Sequence, residues 1–479
     1  MKKKIFVLGL FLSITCGAFA QNYTDALRYS NINYYGTARF MALSGAYGAV
    51  GADLSTLSQN PAGMGLYRRS EFTVTPSVVF NKTESEFLGN KTDKRAPYFN
   101  LNSIGYVHTI IFRDPKSKLK TLQFGIGVNK LADFNNKIYL TGFNDKSSFL
   151  TPYVNQANAA NKPAEKLNDF TDGLAYDVNL LYKDKNTNLW AIDMPNGQVQ
   201  QTKYVETTGG LNETVLSAAA NIQDKFYVGL TVGLPEIDYT YSSKYIEEDI
   251  KNINSNFNSF IRNEYLETKG YGVNAKIGLI YKPVDELRLG LAFHTPTYFY
   301  SMKDYYWADM TSHVTFDKKD YFKQSPESRY EYTLTTPMRL IASATYLIQQ
   351  KGLISADYEF VDYSTARFDA SDYNFQREND DIKGEFKAGH NFRIGAEWNY
   401  DIFAFRGGYR FSSTPYKNGE DLGIVHGISV GAGIHMPNYF IDLSYNRFMS
   451  KDDYYLYQST AAKNTWTNNV ITATLGLKF

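Results

Sequence analysis

Cysteine is almost absent from this chain of 479 residues, and its single copy, Cys16, lies near the start. The first 20 residues combine a basic beginning, an apolar middle and a small-residue cleavage motif, which is the pattern of a secretory signal peptide. These parts are Lys2–Lys4, Ile5–Leu12 and Ala18–Ala20. We predict removal of residues 1–20, which leaves a mature chain without disulfides or thiolate chemistry. Lipid attachment at Cys16 is the alternative, but the preceding Ser13–Thr15 is a poor signal for it.

Long apolar runs and basic clusters are lacking as well. No stretch after residue 20 supplies the roughly 18 consecutive apolar residues that a membrane-spanning helix needs. The formal charge is +1, and it falls to −2 once Lys2, Lys3 and Lys4 are removed. A near-neutral chain without basic clusters argues against nucleic acid as a partner.

Sequence motifs of catalysis and metal binding are missing too. The chain contains neither an HExxH zinc motif nor a GxSxG nucleophile elbow. Its histidines are scattered without the spacing of metal ligands, at His108, His294, His313, His390, His426 and His435. We therefore predict a protein that is not an enzyme and that needs no metal or cofactor.

The most informative pattern present is a strict alternation of apolar and polar residues, which is clearest in residues 470–479. One face carries Ile471, Ala473, Leu475, Leu477 and Phe479, and the other carries Thr472, Thr474, Gly476 and Lys478. A period of two indicates a β-strand. Because a sheet in lipid can leave no edge unpaired, apolar-out and polar-in strands predict a closed transmembrane barrel. Aromatic residues make up 16% of the chain, which suits the interfacial girdles of such a barrel.

The same alternation recurs along the chain and predicts an all-β fold, a transmembrane antiparallel barrel over residues 72–479. The candidate strands are 72–84, 99–113, 119–132, 211–223, 225–236, 269–283, 287–298, 333–349, 351–366, 387–400, 402–413, 424–436, 438–450 and 468–479. These are about 14 strands, and bacterial single-chain barrels have an even number. Short and long connectors alternate, as periplasmic turns and extracellular loops do. A soluble β-rich secreted protein is the alternative.

The inward faces of these strands carry charges of both signs. They include Arg393, Glu397, Arg406, Arg410, Asp357, Glu359 and Asp442. We interpret them as cross-strand ion pairs that keep the barrel rigid, and a track that guides substrate is the alternative.

Residues 21–71 do not alternate and are rich in small side chains. Such a segment suits a hatch inside the lumen, because small residues let the backbone approach the wall closely. Gly45, Gly48 and Gly51 follow no predicted strand, which argues against a dinucleotide-binding loop. Asn60-Pro61 is typical of a turn that changes the direction of the chain.

Four segments of the chain resemble the FadL/TodX-type outer-membrane transporters of hydrophobic compounds. The block Ala38–Tyr67, with Asn60-Pro61-Ala62 near its end, is similar to the N-terminal hatch of that family. The other segments are Leu287–Pro296, Arg393–Trp398 and Phe405–Tyr409. The resemblance covers almost the whole mature chain and implies a 14-stranded barrel closed by an internal hatch.

The resemblance also implies how a ligand is released. Family members pass a lipophilic ligand through a gap in the wall, which an inward kink of the third strand opens beside the hatch. The implied hatch and gate residues are Asn60, Pro61, Ala62 and Gly63. In the third strand, Gly125 and Gly127 are the expected positions of the kink.

The connector 237–268 carries an apolar stripe with spacings of three and four, which predicts a helix. The stripe includes Ile246, Ile250, Ile253, Phe257, Phe260 and Ile261. The resemblance implies that this loop forms part of an extracellular hydrophobic groove. The alternative is that the stripe packs on neighbouring loops.

Together these features predict passive uptake of a hydrophobic small molecule, a long-chain fatty acid or an aromatic hydrocarbon, across the outer membrane of a Gram-negative bacterium. Outer-membrane lipid and lipopolysaccharide are the expected surroundings. The final Phe479 is the expected signal for the barrel-assembly machinery. The alternative is a barrel of the same fold that shuttles secreted proteins of a type IX secretion system with its outer loops.

Overall fold

The computed structural model describes residues 22–114, 116–315, 318–349, 351–419, 421–457 and 460–479. The predicted signal peptide, residues 1–20, lies outside these described residues.

Fourteen antiparallel strands form a closed barrel. Ten are continuous: β1 Glu71–Phe87, β2 Asn90–Ile111, β4 Val199–Ile222, β5 Phe226–Glu248, β6 Phe257–Val284, β10 Ala388–Tyr400, β11 Phe403–Ser412, β12 Val425–His435, β13 Tyr439–Tyr457 and β14 Thr460–Lys478. The others have two segments each: β3 Leu119–Asp133 and Asn136–Asn144, β7 Leu287–His294 and Tyr298–Val314, β8 Ser328–Thr335 and Arg339–Ile348, β9 Gly352–Asp362 and Arg367–Asp369. The last strand pairs with the first, from Glu71 opposite Lys478 to Glu86 opposite Lys463. This pairing removes the free edges that lipid would not tolerate.

An apolar belt surrounds the periplasmic half of the barrel, as the alternation predicts. On β5 it consists of the exposed Phe226, Val228, Leu230, Val232 and Leu234. Their neighbours on the same strand face the filled lumen; Tyr227 and Thr231, for example, are buried. A spanning strand needs about 9–11 residues, whereas β5 has 23 and β6 has 28. The long strands therefore continue well beyond the lipid on the extracellular side.

The strands are longer than predicted, and the helix predicted in connector 237–268 is wrong. Residues of that connector extend β5 and β6, which remain paired up to Glu248 opposite Ser259. The connectors predicted at 299–332 and 451–467 are also largely strand. Outside the lipid, the outward face no longer has to be apolar. The hydrogen-bonded ladder therefore continues where the alternation in the sequence has ended.

The hatch lies inside the lumen. It contains α1 Tyr23–Ser30, α2 Ala38–Ala42, α3 Thr56–Gln59 and a 3-10 helix Pro61–Leu66. The helix α1 begins with a capping box, since the side chain of Asn22 accepts from the amide of Asp25, whose carboxylate accepts from the amide of Asn22. Thr37 is the N-cap of α2, and its side chain accepts from the amide of Phe40. Nearly every residue from Tyr34 to Tyr67 is buried, because the barrel wall surrounds the segment.

A second segment of the chain packs inside the extracellular end of the barrel. The insertion between β3 and β4 contains α4 Thr151–Ala159, a 3-10 helix Ala164–Lys166, α5 Asp172–Asp177 and a hairpin of Tyr182–Lys183 with Trp190–Ala191. Its apolar side chains form a core with inward residues of the strand extensions. The remaining elements are a short strand Asp320–Gln324 beside β7, a 3-10 helix Tyr363–Thr365 and α6 Gln376–Glu385. Within the described residues, no helix is both long enough and apolar enough to cross a membrane.

Candidate functional site: the hatch, a seam in the wall and the cavity above them

The predicted gate residues form a tight turn that lies directly on the wall. The side chain of Asn60 accepts from the amide of Ala62 at 3.2 Å and donates to the carbonyl of Gly48 at 2.5 Å. A methyl group added at Gly229 of β5 would stand 2.3 Å from the carbonyl of Pro61. One at Gly278 of β6 would stand 2.8 Å from the amide of Ala62. Glycine at both wall positions therefore permits the close approach.

Ion pairs connect the hatch to the wall and the wall strands to one another. Arg39 of the hatch donates to both oxygens of Glu397, at 2.7 and 2.8 Å. Arg406 donates to Glu397 and to Asp442, each at 2.6 Å. Glu359 in turn accepts from Arg339 and Arg393. Five of the seven inward charges named from the sequence thus form ion pairs, whereas Asp357 and Arg410 bind hatch residues instead.

The two glycines at which we expected the kink have a different environment. The ladders of β3 with β2 and with β4 run through Gly125 and Gly127 without a register shift. A methyl group at Gly125 would stand 2.7 Å from the sulfur of Met64 and 2.9 Å from Leu57. These glycines therefore make room for hatch side chains, and the structure places the irregularity of β3 further along the strand.

The wall ladder ends where β3 turns to pair with the hatch. The ladder between β2 and β3 stops at Ser103 opposite Asn129. Beyond that point, the carbonyl of Lys130 accepts from the amide of Tyr35 at 2.9 Å. The carbonyl of the next residue, Leu131, accepts from the amide of Asn33 at 2.8 Å. The ladder of β3 with β4 shifts register between Lys130 and Ala132 at the same place.

Above this point, polar side chains join β2 to β3. The amide group of Asn100 donates to Asp133 at 2.8 Å and its oxygen accepts from Lys130 at 3.1 Å. Lys130 also pairs with Asp133 at 3.2 Å. From β1, Asn81 donates to the carbonyl of Asn135 at 2.9 Å. We name this stretch the seam: residues 98–102 of β2 facing residues 130–136 of β3. Side-chain contacts there replace a continuous backbone ladder.

A cavity of about 810 Å³ lies above the hatch. We name it the upper cavity. It is lined by Asn22, Tyr23, Thr24, Leu27, Arg28, Asn31, Asn33, Ala132, Asp133, Phe134, Tyr416, Asp452, Asp453, Tyr454 and Tyr455. Its volume is in the range of small-molecule sites, about 300–1,000 Å³. The floor is α1, and one side is the bend of β3.

Aromatic rings and one cation shape the floor of the upper cavity. Phe134 makes edge contacts with Tyr29 and Tyr239, with ring centroids 5.9 and 5.6 Å apart. Arg28 forms an ion pair with Asp25 and lies 4.4 Å from the centre of the Tyr239 ring. The cavity therefore combines five aromatic side chains with eight polar or charged ones, and the guanidinium of Arg28 is already engaged.

The six residues predicted to form an extracellular groove do not lie on one surface. Phe257 and Phe260 are 2% and 0% exposed, and they pack into the core of the insertion. Ile250 and Ile253, at the tip between β5 and β6, are 58% and 48% exposed. Ile246 and Ile261 are a cross-strand pair. Strand geometry therefore separates side chains that helical spacing would have brought together.

The sequence reasoning missed the residues of the upper cavity. Phe134 and Tyr454 lie in connectors that we predict as loops, so the sequence does not indicate whether their side chains face the lumen. The capping box of Asn22 and Asp25 was a signal for α1 that could have been read from the sequence. No set of three His, Cys, Asp or Glu side chains that could hold a metal occurs within the described ranges.

Comparisons with known proteins agree with this architecture. No protein-family profile and no curated protein matches the chain. Among solved structures, it is similar to a FadL homologue of Pseudomonas aeruginosa, with a TM-score of 0.56, 12% identity, and 93% of this chain and 98% of that chain covered. It is also similar to the toluene transporter TodX of Pseudomonas putida, with a TM-score of 0.54, 11% identity and coverages of 92% and 98%. A third is the monoaromatic hydrocarbon channel CymD, with a TM-score of 0.51, 12% identity and coverages of 93% and 97%. The chain has the fold of the FadL/TodX-type transporters, and identities this low speak for the fold alone.

Proposed function

We propose that the protein carries hydrophobic small molecules across the outer membrane of a Gram-negative bacterium. The observation that carries the proposal is that residues 132–134 border both the upper cavity and the seam. A ligand held above α1 would therefore already touch the part of the wall that lacks a continuous backbone ladder. The similar structures are those of a FadL homologue, a toluene transporter and a monoaromatic hydrocarbon channel.

Burial of the ligand supplies the driving force for capture. An apolar molecule that buries about 200 Å² gains about 5 kcal/mol, at roughly 25 cal/mol per Å². The concentration gradient then gives the direction, so no chemical step and no cofactor are needed. The protein acts as a passive carrier and not as an enzyme.

The seam is the proposed exit. Opening it requires the side-chain contacts of Asn100, Lys130 and Asp133 to separate. Each hydrogen bond to a charged group contributes about 1.5–3 kcal/mol net, which ligand binding can offset. A backbone ladder of the same length would be much harder to separate, because its bonds open together. The Asn60–Gly63 turn holds the hatch against β5 and β6 while the seam opens, and it is the proposed fixed side of the gate.

The apolar belt is the proposed contact with outer-membrane lipid. Phe479 is exposed, and its amide donates to the carbonyl of Ser70 at 2.9 Å. We propose this exposed aromatic side chain as the contact with the barrel-assembly machinery.

Linking the two sides of the seam tests the proposal. Replacing Asn100 and Asp133 by cysteine and joining them with a short thiol-reactive linker should abolish uptake of a radiolabelled aromatic hydrocarbon into cells. The matched control is the pair His108 and Phe124, which lie opposite each other on the regular part of the same strands. Linking these two should leave uptake unchanged.

Equal uptake by the two linked variants would refute the seam as exit. Failure of the unlinked protein to take up hydrocarbon or fatty acid, together with a secreted protein bound to its outer loops, would favour the shuttle alternative instead.

A further inference from the structure

The geometry points to a binding site for phosphorylated sugars on the outer surface of the barrel, filled by the lipopolysaccharide that surrounds it. The site is independent of the upper cavity and of the proposed uptake. It is a concavity of about 600 Å³ on the outward face of the extension, where β3 to β7 cross above the apolar belt. We name it the saddle.

Outward side chains in and beside the saddle form two adjacent rows across five strands; Tyr139 and Asp309 flank the concavity, and the others line it. The pairing registers place Lys137, Glu206, Ser242, Tyr265 and Trp307 in one row, and Tyr139, Tyr204, Lys244, Asn263 and Asp309 in the next. The floor between them is backbone, since the intervening residues such as Val205 and Ser243 are buried on the lumen side.

Two aromatic platforms stand at opposite ends of the saddle. Tyr139 and Tyr204 are stacked with their ring centroids 4.7 Å apart at an interplanar angle of 27°. Tyr265 and Trp307 are stacked at 5.8 Å and 17°. A sugar ring presents an apolar face of C–H groups and an edge of hydroxyls. Flat aromatic faces beside hydrogen-bonding groups are therefore complementary to it.

The strip between the platforms is polar and carries unpaired positive charge. Lys244 and Asn263 lie opposite each other there, and Asn263 donates to Asp309 at 2.8 Å. Lys137 is paired with Glu206 at 3.0 Å. Within the part of the chain that the structure describes, Lys244 and Lys94 have no ion-pair partner, and Lys94 lies 5.2 Å from the centre of the Tyr139 ring. Two ammonium groups without a carboxylate partner, one of them over an aromatic ring, suit a sugar that bears phosphate.

The height of the saddle separates sugars from phospholipid headgroups. On β5 the apolar outward run ends at Leu234, and Ser242 lies eight residues further along the strand. At about 3.3 Å per residue and a strand tilt of about 40°, Ser242 lies roughly 20 Å above the hydrocarbon layer. Phospholipid headgroups extend only about 5–8 Å beyond that layer. Carbohydrate attached to the outer-leaflet lipid reaches the saddle, whereas a phospholipid headgroup does not.

Native mass spectrometry of the full chain in detergent tests the site. The probes are rough lipopolysaccharide with a phosphorylated core and lipid A without core sugars. We expect the double variant Lys94→Gln and Lys244→Gln to bind the rough lipopolysaccharide roughly ten-fold more weakly, since two charge-assisted contacts are lost. Its affinity for lipid A should be unchanged. The variant Trp307→Leu should weaken binding in the same selective way.

The matched control removes the same charge elsewhere. Lys116 and Lys225 lie in periplasmic turns and are exposed, so changing both to Gln should leave both affinities as they are. Wild-type affinity of the saddle variants for the rough lipopolysaccharide would overturn the site. An equal loss for lipid A would also overturn it, because the contact would then be with the lipid and not with its sugars. Dephosphorylated core should bind the wild type as weakly as phosphorylated core binds the lysine variant.

Discussion

At the scale of single residues, glycines of the wall determine how closely the hatch can approach it. The carbonyl of Pro61 and the amide of Ala62 lie where a side chain at Gly229 would stand. Not every wall glycine is as crowded as this one. At Gly407, for example, the nearest atom to an added methyl group would be 3.8 Å away. The same residue type therefore has a packing role at one wall position and none at another.

We expect Gly229→Ala to push the hatch away from β5, because the methyl group meets rigid backbone and not a flexible side chain. The loss in free energy of unfolding should be about 1–3 kcal/mol, typical of overpacking. Denaturant unfolding followed by tryptophan fluorescence measures it. Gly407→Ala is the matched control and should change little. Equal stability of the two variants would contradict the wall contact of the Pro61-Ala62 turn.

Acid pH should loosen the extracellular extension through Glu264. Burial alone would raise the pKa of Glu264, but the neighbouring Arg262 and Lys203 outweigh it and lower the pKa to about 2. A carboxyl with a lowered pKa stabilises the fold above its unfolded pKa and loses that effect as the pH falls toward 2. Arg262 also donates to the carbonyl of Phe170 at 3.0 Å, so the loss should reach the insertion.

We expect Glu264→Gln to lower the free energy of unfolding at pH 7 by on the order of 2–3 kcal/mol and to flatten its decline between about pH 4.5 and 2. The control is Glu267→Gln, an outward position on the same strand. The free energy of unfolding of both variants is measured across this pH range. An equal decline of the two with falling pH would refute the role of Glu264.

At the scale of elements, the strand extensions and the insertion depend on each other. The insertion supplies apolar side chains that fill the extended barrel, and one buried carboxylate anchors it. Glu247 of β5 accepts from the hydroxyl of Ser148 and the amide of Phe149, both at 2.6 Å. It also accepts from Gln201 at 2.8 Å and from Tyr245 at 2.6 Å.

Removing this anchor should release the insertion while the barrel stays folded. We expect Glu247→Ala to expose residues 145–198 to limited proteolysis, because four donors lose their acceptor together. Glu248 is the next residue and faces outward, so Glu248→Ala should leave the cleavage pattern unchanged. Protection of the insertion in the first variant would show that its apolar core suffices to hold it.

At the scale of the whole molecule, the wall holds its charges largely without the hatch. Glu359 pairs with Arg339 and Arg393, and Arg406 with Asp442, all on the barrel. The hatch adds Arg39 to this network and fills the lumen. The barrel therefore has the means to fold around an empty lumen.

Deleting residues 22–60 should give a folded barrel that conducts ions across a planar lipid bilayer, because polar side chains would then line open water. Heat-modifiable migration in gels checks folding, and the conductance of the intact chain is the reference. The variant should also lose any hydrophobic molecule that co-purifies with the intact chain. A folded but non-conducting variant would show that the insertion alone closes the barrel.

The sequence by itself determined the class of fold, the number and order of strands and the place of the hatch. Residues 470–479 show why: a strand between lipid and a polar lumen must alternate, and this pattern is local. Beyond the lipid that requirement ends, so the ends of β5 and β6 were misread as a helical loop.

Only the tertiary structure decided the seam, the upper cavity and the saddle. Each arises where residues distant in the chain meet: Tyr35 with Lys130, Asn100 with Asp133, Tyr265 with Trp307. Whether a strand pairs with its wall neighbour or turns to the hatch depends on which partner offers hydrogen bonds. The alternation of apolar and polar residues does not indicate that partner. The sequence shows that Gly125 and Gly127 permit an irregular strand. It does not show that Met64, Leu57 and Leu54, from another part of the chain, lie beside them.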